Sequence, residues 1–223
     1  MRLRGYGLPP VRLEHFYHVY AFGAWRDVVT EHLDAVAGGG LPIEGINLGV
    51  VGDPVERAHV HELFSKRIPT TLVAQADQGA EEVTLTAIWQ RYTKQRGDGA
   101  VLYAHTKGVH VATAFNAAWR RKMTQSLVSG WRDCLPLLDG HDLVGCHWLS
   151  SSSLAAYGNG PSTPCFGGNF WWATRDWLAT LGPPRQDGTR FDAETWIGGG
   201  SNPETPPRVA DLNPGWPAME LFG

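Results

Sequence analysis

Three stretches of the sequence set reactive side chains at spacings that could do chemistry. His105-Thr106-Lys107-Gly108 follows the apolar run Ala100 to Ala104 and offers a hydroxyl and a cation. Both suit a diphosphate, which is held by positive charge and hydrogen-bond donors. Arg120, on the amphipathic segment that follows, adds a fork able to grip two phosphate oxygens. Gly167-Gly168-Asn169-Phe170-Trp171-Trp172 joins glycines, which admit close approach of another molecule, to flat aromatic faces. Gly167, Gly168, Asn169 and Trp171 are its candidate contacts to an acceptor molecule. Finally, Glu194 stands among Phe191, Trp196 and Ile197, where desolvation should raise its pKa as a general base requires.

Each stretch also has a plainer reading. His105 can simply end a strand, with Lys107 in solvent. Alternation puts Phe170 and Trp172 on one side of a strand, as core, with Trp171 on the other. That does not account for the paired glycines, which weaken a strand unless something approaches closely. Glu194 can pair with Arg185 or Arg190, and Asp192 is a competing acid better placed as a cap. His59 and His61 do not share a helix face, which disfavours a metal reading.

The elements that must position these groups follow an alternating pattern. A strand is expected over His15 to Ala21, then a helix with Trp25, Val28, Val29, His32, Leu33 and Val36 on one face, ended by Gly38-Gly39-Gly40. Ile43 to Val51 reads as a second strand and Thr70 to Gln75 as a third. Asp53 caps a helix that begins at Pro54. Asp77 caps another, running to about Arg96 with Val83, Ala87, Ile88 and Tyr92 inward. Ala100 to Ala104 is a buried strand, Thr113 to Trp131 a long helix, Asp133 to Leu138 a short one, and Asp142 to Leu149 a further strand.

Strands alternating with helices imply an α/β fold, a Rossmann-like domain whose mostly parallel central sheet carries helices on both faces. Ligands of such sheets bind beyond the carboxyl ends of the strands, where His105, Thr106 and Lys107 fall. Residues 150–164 form a Ser-, Gly-, Asn- and Pro-rich loop on the acceptor side. The expected division is a domain over 1–198 and a Gly/Pro-rich tail over 199–223. Trp216, Met219, Leu221 and Phe222 in that tail could fold it over the site.

Composition bounds the function. At 223 residues with a net charge of −3, the chain gives no electrostatic reason to expect nucleic acid as a partner. No apolar run approaches transmembrane length. Three cysteines without paired spacing argue against a disulfide framework or zinc knuckle, so reduced thiols and a cytoplasmic location are expected. A phosphate-binding Gly-x-x-x-x-Gly-Lys loop and a Gly-x-Ser-x-Gly elbow are both missing from the sequence, which lowers a phosphotransferase or hydrolase reading.

The chain resembles GT-A-type glycosyltransferases, and is similar to the bacterial and phage group related to rhamnan-synthesis F proteins. The likeness spans roughly Phe16 to Gly198. It is carried by Tyr103-Ala104-His105-Thr106-Lys107-Gly108, by the helix Asn116-Ala-Ala-Trp119-Arg120-Arg-Lys-Met123, and by Gly167 to Ala173 followed by Arg190 to Ile197. The last piece looks like the Gly-Gly, helix, Glu module with which inverting members hold an acceptor and deprotonate its hydroxyl. The resemblance implies a nucleotide-sugar donor over the first strands, with Tyr17, Tyr20 and Asp53 near the nucleoside. It also implies a glycan or other hydroxyl acceptor. The chain departs from most GT-A enzymes in having no Asp-x-Asp for a divalent cation (Mn2+ or Mg2+). His105-Thr106-Lys107 appears in that place, and a lysine with an arginine could supply the metal's charge. Metal independence is therefore expected, with His147 or Asp53 the alternative ligands. A carbohydrate-binding module using the same tryptophans is the rival reading.

Overall fold

A computed structural model of the protein describes residues 12–151, 163–186, 190–199 and 205–214. In chain order the first half gives strands Leu13–Tyr20 (β1), Ile46–Val51 (β2), Thr70–Ala76 (β3) and Ala100–His105 (β4). Helices Trp25–Gly39 (α1), Pro54–Ser65 (α2), Glu82–Tyr92 (α3) and Ala114–Met123 (α4) follow them in turn. The second half gives a short helix Trp131–Cys134 (α5), then strands Leu143–Gly145 (β5), Trp148–Leu149 (β6), Cys165–Phe166 (β7) and Trp171–Thr174 (β8). Helices Arg175–Leu178 (α6) and Arg190–Thr195 (α7) and strand Val209–Asp211 (β9) complete it.

Seven strands make one sheet in the order β3-β2-β1-β4-β8-β5-β9. Strands β1 to β4 pair in parallel, β8 runs antiparallel between β4 and β5, and β9 joins β5 in parallel. The two faces are covered by different helices because successive residues of a strand point opposite ways. Tyr17, Val19, Leu102, Ala104 and Trp172 pack with α1, α2 and α4. Phe16, Val101, Tyr103, Trp171 and Ala173 pack with α3, α6 and α7. This is the α/β architecture that the alternating pattern implies, with a mostly parallel sheet between two helical layers.

Local signals explain most boundaries. All six apolar-face residues expected of α1 are buried, and Gly40 ends it in the left-handed region at φ 59°. Asp53 caps α2, accepting from the N–H groups of Val55 and Glu56, with Pro54 at the first position. Thr113 caps α4 in the same way, and the helix widens to a π-helical turn over Thr124–Ser129 before stopping at Gly130.

Two expectations need correction. Helix α3 begins at Glu82 rather than after Asp77, because Gly79 takes φ 128° and holds the chain in a loop up to Glu81. The run Asp142 to Leu149 is not one strand: His147, at φ 60°, turns the chain between β5 and β6. The stretch after Gly198 contributes β9 to the sheet edge. There the Asp211 carboxylate accepts the backbone N–H of both His147 and Trp148 at 2.9 Å. Trp216, Met219, Leu221 and Phe222 lie outside the described residues. No helix among the described residues is long and apolar enough to cross a membrane.

Candidate active site

A cavity of about 950 Å³ opens beyond the carboxyl ends of β1 and β4. His18 and Tyr20 come from the end of β1, and Gly79 to Glu81 from the loop before α3. His105 to Val111 come from the end of β4, and Phe115, Asn116 and Trp119 from α4. Gly167 and Gly168 follow β7, and Phe191 and Glu194 lie on α7. The volume is that of a site for an extended small molecule. The topology accounts for its place, since parallel strands deliver their loops to one edge.

Of the diphosphate candidates, His105, Thr106 and Lys107 all line the cavity. Thr106 also clasps the two strand ends together. Its N–H donates to the His18 carbonyl at 3.0 Å, and its hydroxyl oxygen accepts the Tyr20 N–H at 2.8 Å. The ammonium of Lys107 lies 3.9 Å from the centre of the Trp119 ring, a cation–π contact that steadies a long side chain. Tyr20 stands at the same end with Phe22 and His110, ring centres 4.3 and 4.5 Å away.

Arg120 plays another part. Its guanidinium donates to both oxygens of Glu31 and, at 3.0 Å, to the Lys107 carbonyl. It fixes the backbone that carries Lys107 and does not line the cavity. Tyr17 is core: it is buried, stacks on His32 at 4.0 Å, and its hydroxyl pKa is pushed up by burial. Asp53 is spent on the cap of α2, away from the cavity lining.

The acceptor candidates divide likewise. Gly167 and Gly168 line the cavity. At Gly168, φ is 88° and a Cβ would stand 2.8 Å from Met123 Sδ and 3.2 Å from Lys107 Cε, so any other residue here would be strained, would displace Met123 and would crowd Lys107. Asn169 and Trp171 are fully buried and do not line the cavity. Trp171 stacks on Tyr103 with centroids 5.0 Å apart, and its indole N–H donates to Asn169 Oδ1 at 2.9 Å. Because both sheet faces are covered, alternation could not leave Trp171 at the surface. Trp172 is equally buried, so the tryptophan platform expected of a carbohydrate-binding module does not form there.

Glu194 lines the cavity from α7. The Cys165 thiol is pushed up to about 12 by burial and, secondly, by the negative charge of Glu194. Arg185 pairs with Asp192 at 3.4 Å. The Arg190 side chain and residues 152–162 of the expected loop lie outside the described residues. Among the described residues, no group of three or more His, Cys, Asp or Glu side chains could hold a metal ion. His147 stands against Trp119 at 6.4 Å, and Asp53 serves its helix.

Sequence reasoning missed Glu81. It sits on the cavity wall just before α3, with 15% of its side chain exposed. Tyr103 donates its hydroxyl to it at 2.9 Å and Asn169 its amide at 2.6 Å. Burial raises its pKa to about 7, against the lowering effect of those two donors and of Lys107. The signal was available, because an acid after the third parallel strand obeys the strand-end rule that selected His105.

The profile of one family, described as Domain of unknown function (DUF8361), matches residues 16–196. No curated protein matches the chain in sequence. Among solved structures, a fragment 1–349 of TarS from S. aureus is 11% identical, covering 90% of this chain and 58% of that one, with a TM-score of 0.49. The chain thus spans little more than half of that fragment. 4-Diphosphocytidyl-2C-methyl-D-erythritol synthase from Anaerococcus prevotii is 12% identical over 61% of this chain and 56% of its own, with a TM-score of 0.34. Rv0371c from Mycobacterium tuberculosis is 14% identical over 76% and 77%, also with a TM-score of 0.34. All three scores fall below 0.5, so the functional reading rests on the chain's own residues.

Proposed function

The chain belongs to the DUF8361 family, and we propose that it is a glycosyltransferase moving a sugar from a nucleotide-sugar donor to a hydroxyl acceptor. One observation carries the reading: a cation with adjacent donors and a carboxylate, Lys107-Thr106 and Glu194, line one cavity at the carboxyl edge of parallel strands. In this reading the donor's diphosphate lies against Thr106 and Lys107, and the nucleoside lies towards Tyr20. Glu194 takes the proton of the acceptor hydroxyl. The freed oxygen pair bonds to the anomeric carbon from the side opposite the diphosphate, and the carbon–oxygen bond to the diphosphate breaks. The leaving electron pair stays on the diphosphate, where the Lys107 charge and the Thr106 hydroxyl stabilise it. In-line displacement of this kind inverts the anomeric centre. The Gly167-Gly168 turn leaves room for the acceptor, and Arg120 and Asn169 act by holding Lys107 and Glu81 in place.

The test is a thermal-shift panel of UDP, GDP, dTDP and CMP compounds, with and without manganese. At least one nucleotide should raise the unfolding midpoint. A protein stabilised by free glycans and by no nucleotide would be a carbohydrate-binding module instead.

A further inference from the structure

The partners of Glu81 fix where its proton can go. Oε2 already accepts from Tyr103 and Asn169, so any proton belongs on Oε1, which faces His105 Nδ1 at 3.4 Å. His105 Nε2 lies 2.9 Å from the Gly168 carbonyl, which can only accept, so Nε2 carries the ring hydrogen. Nδ1 of the neutral ring is then a lone pair turned towards Oε1. A lone pair and a carboxylate oxygen attract each other only through a proton between them. A proton on Oε1 would turn this contact into an attraction, so the geometry favours the acid beside the neutral imidazole over the carboxylate.

The surroundings favour the first form. Burial, and then the charge of Lys107, push His105 down to about 3, while burial lifts Glu81 to about 7. Glu82, next in the chain, raises Glu81 further. Tyr103 on β4 is held neutral by burial. His18 on β1 is neutral and hydrogen-bonded to Thr84 at 2.7 Å. Glu194, across from α7, lines the same cavity and adds negative charge to it. The hydrogen bonds from Tyr103 and Asn169 and the charge of Lys107 oppose protonation of Glu81, and a bound anion would offset the Lys107 charge.

We propose that Glu81 is a ligand-binding residue of the cavity, which keeps or takes up a proton on Oε1, facing His105, when a nucleoside diphosphate seats beside Lys107. The inference rests on the donor reading given above. An ionised Glu81 would repel the diphosphate, so binding favours the acid form, and by linkage the ligand binds more weakly once Glu81 has lost its proton. A protonated Glu81 cannot also accept the acceptor's proton, which leaves the base role to Glu194.

The test titrates UDP, GDP and dTDP into the protein between about pH 7 and 9, where a terminal phosphate with pKa about 6 is already ionised. In the wild type, affinity should fall with rising pH by up to about tenfold per unit. In E81Q the amide still accepts from Tyr103 and Asn169 and donates to His105 Nδ1 as the acid does. Its affinity should be flat across the range and no weaker than wild type at the alkaline end. Calorimetry of the wild type near pH 8, in two buffers of different ionisation enthalpy, should show proton uptake on binding. A flat wild-type profile, no proton uptake, or a slope that survives in E81Q would overturn the proposal. Binding by none of the nucleotides at any pH would overturn the donor reading, and this inference with it.

Discussion

Lys107 illustrates how a residue becomes a site. Its sequence position at a strand end pointed to it, but three contacts give it one location. Trp119 lies under its ammonium, Arg120 holds its carbonyl, and Gly168 leaves room for its side chain. A charge-assisted contact to a ligand phosphate is worth about 1.5–3 kcal/mol. Lys107→Ala should therefore weaken nucleotide binding by about 10- to 100-fold, read by calorimetry; unchanged affinity would place the diphosphate elsewhere. Residues were legible in the sequence where position along a parallel strand decided their place on the cavity, as at His105, Thr106 and Lys107. They were illegible where facing decided it. Tyr17 and Tyr20 both lie near the end of β1, but one enters the core against His32 and the other reaches the cavity. In a sheet buried on both faces, hydrophobicity does not tell such neighbours apart. Glu81 was hidden for a different reason, since an acid beside a helix start reads as an ordinary first-turn charge.

At the scale of elements, the sheet is joined to its helical layers by buried histidines. His15 donates from Nδ1 to the Leu102 carbonyl at 3.1 Å, and its Nε2 meets Nε2 of His32 on α1 at 2.7 Å. Because His15 Nδ1 carries the hydrogen, His32 donates across that contact, and burial favours the neutral form of both rings. His18 binds Thr84 of α3 on the opposite face. Burial lowers His15 to about 4 and His18 to about 3, and lowers His32 as well. The sign follows directly. The unfolded chain takes up protons near the ordinary histidine value of about 6.5 while the folded chain does not. Stability is thus complete above that pH and is lost as the pH falls from about 6.5 towards 3–4. At pH 5, holding His15 neutral costs about 2 kcal/mol, and His18 about the same. The unfolding midpoint should drop clearly between about pH 7.5 and 5, and a midpoint unchanged across that range would contradict the neutral pair. Periodicity revealed the six buried residues of α1, His32 among them, but not the partner across the sheet, which is a tertiary fact.

At the scale of the whole molecule, the sequence revealed the doubly covered sheet and the edge at which the cavity opens. It did not reveal the closing strand. β9 is three residues long, lies beyond a Gly- and Pro-rich stretch, and is recognisable only through what it holds: Asp211 binding the turn at His147. Nor could a linear reading tell whether the tryptophans of β8 face solvent, as a glycan-binding surface built on them would need. They are buried, while Tyr20, Phe115, Trp119 and Phe191 line the cavity beside a lysine, hydroxyls, histidines and two carboxylates. In the proposed reaction Glu194 is the group that removes the acceptor's proton. The most direct measurement is turnover of the donor whose nucleotide stabilises the protein, by wild type and by Glu194→Gln, alongside nucleotide affinity. Loss of a general base should reduce turnover by about 10²–10⁴-fold while nucleotide affinity and the unfolding midpoint stay near wild type. Near-normal turnover by the variant would contradict the account.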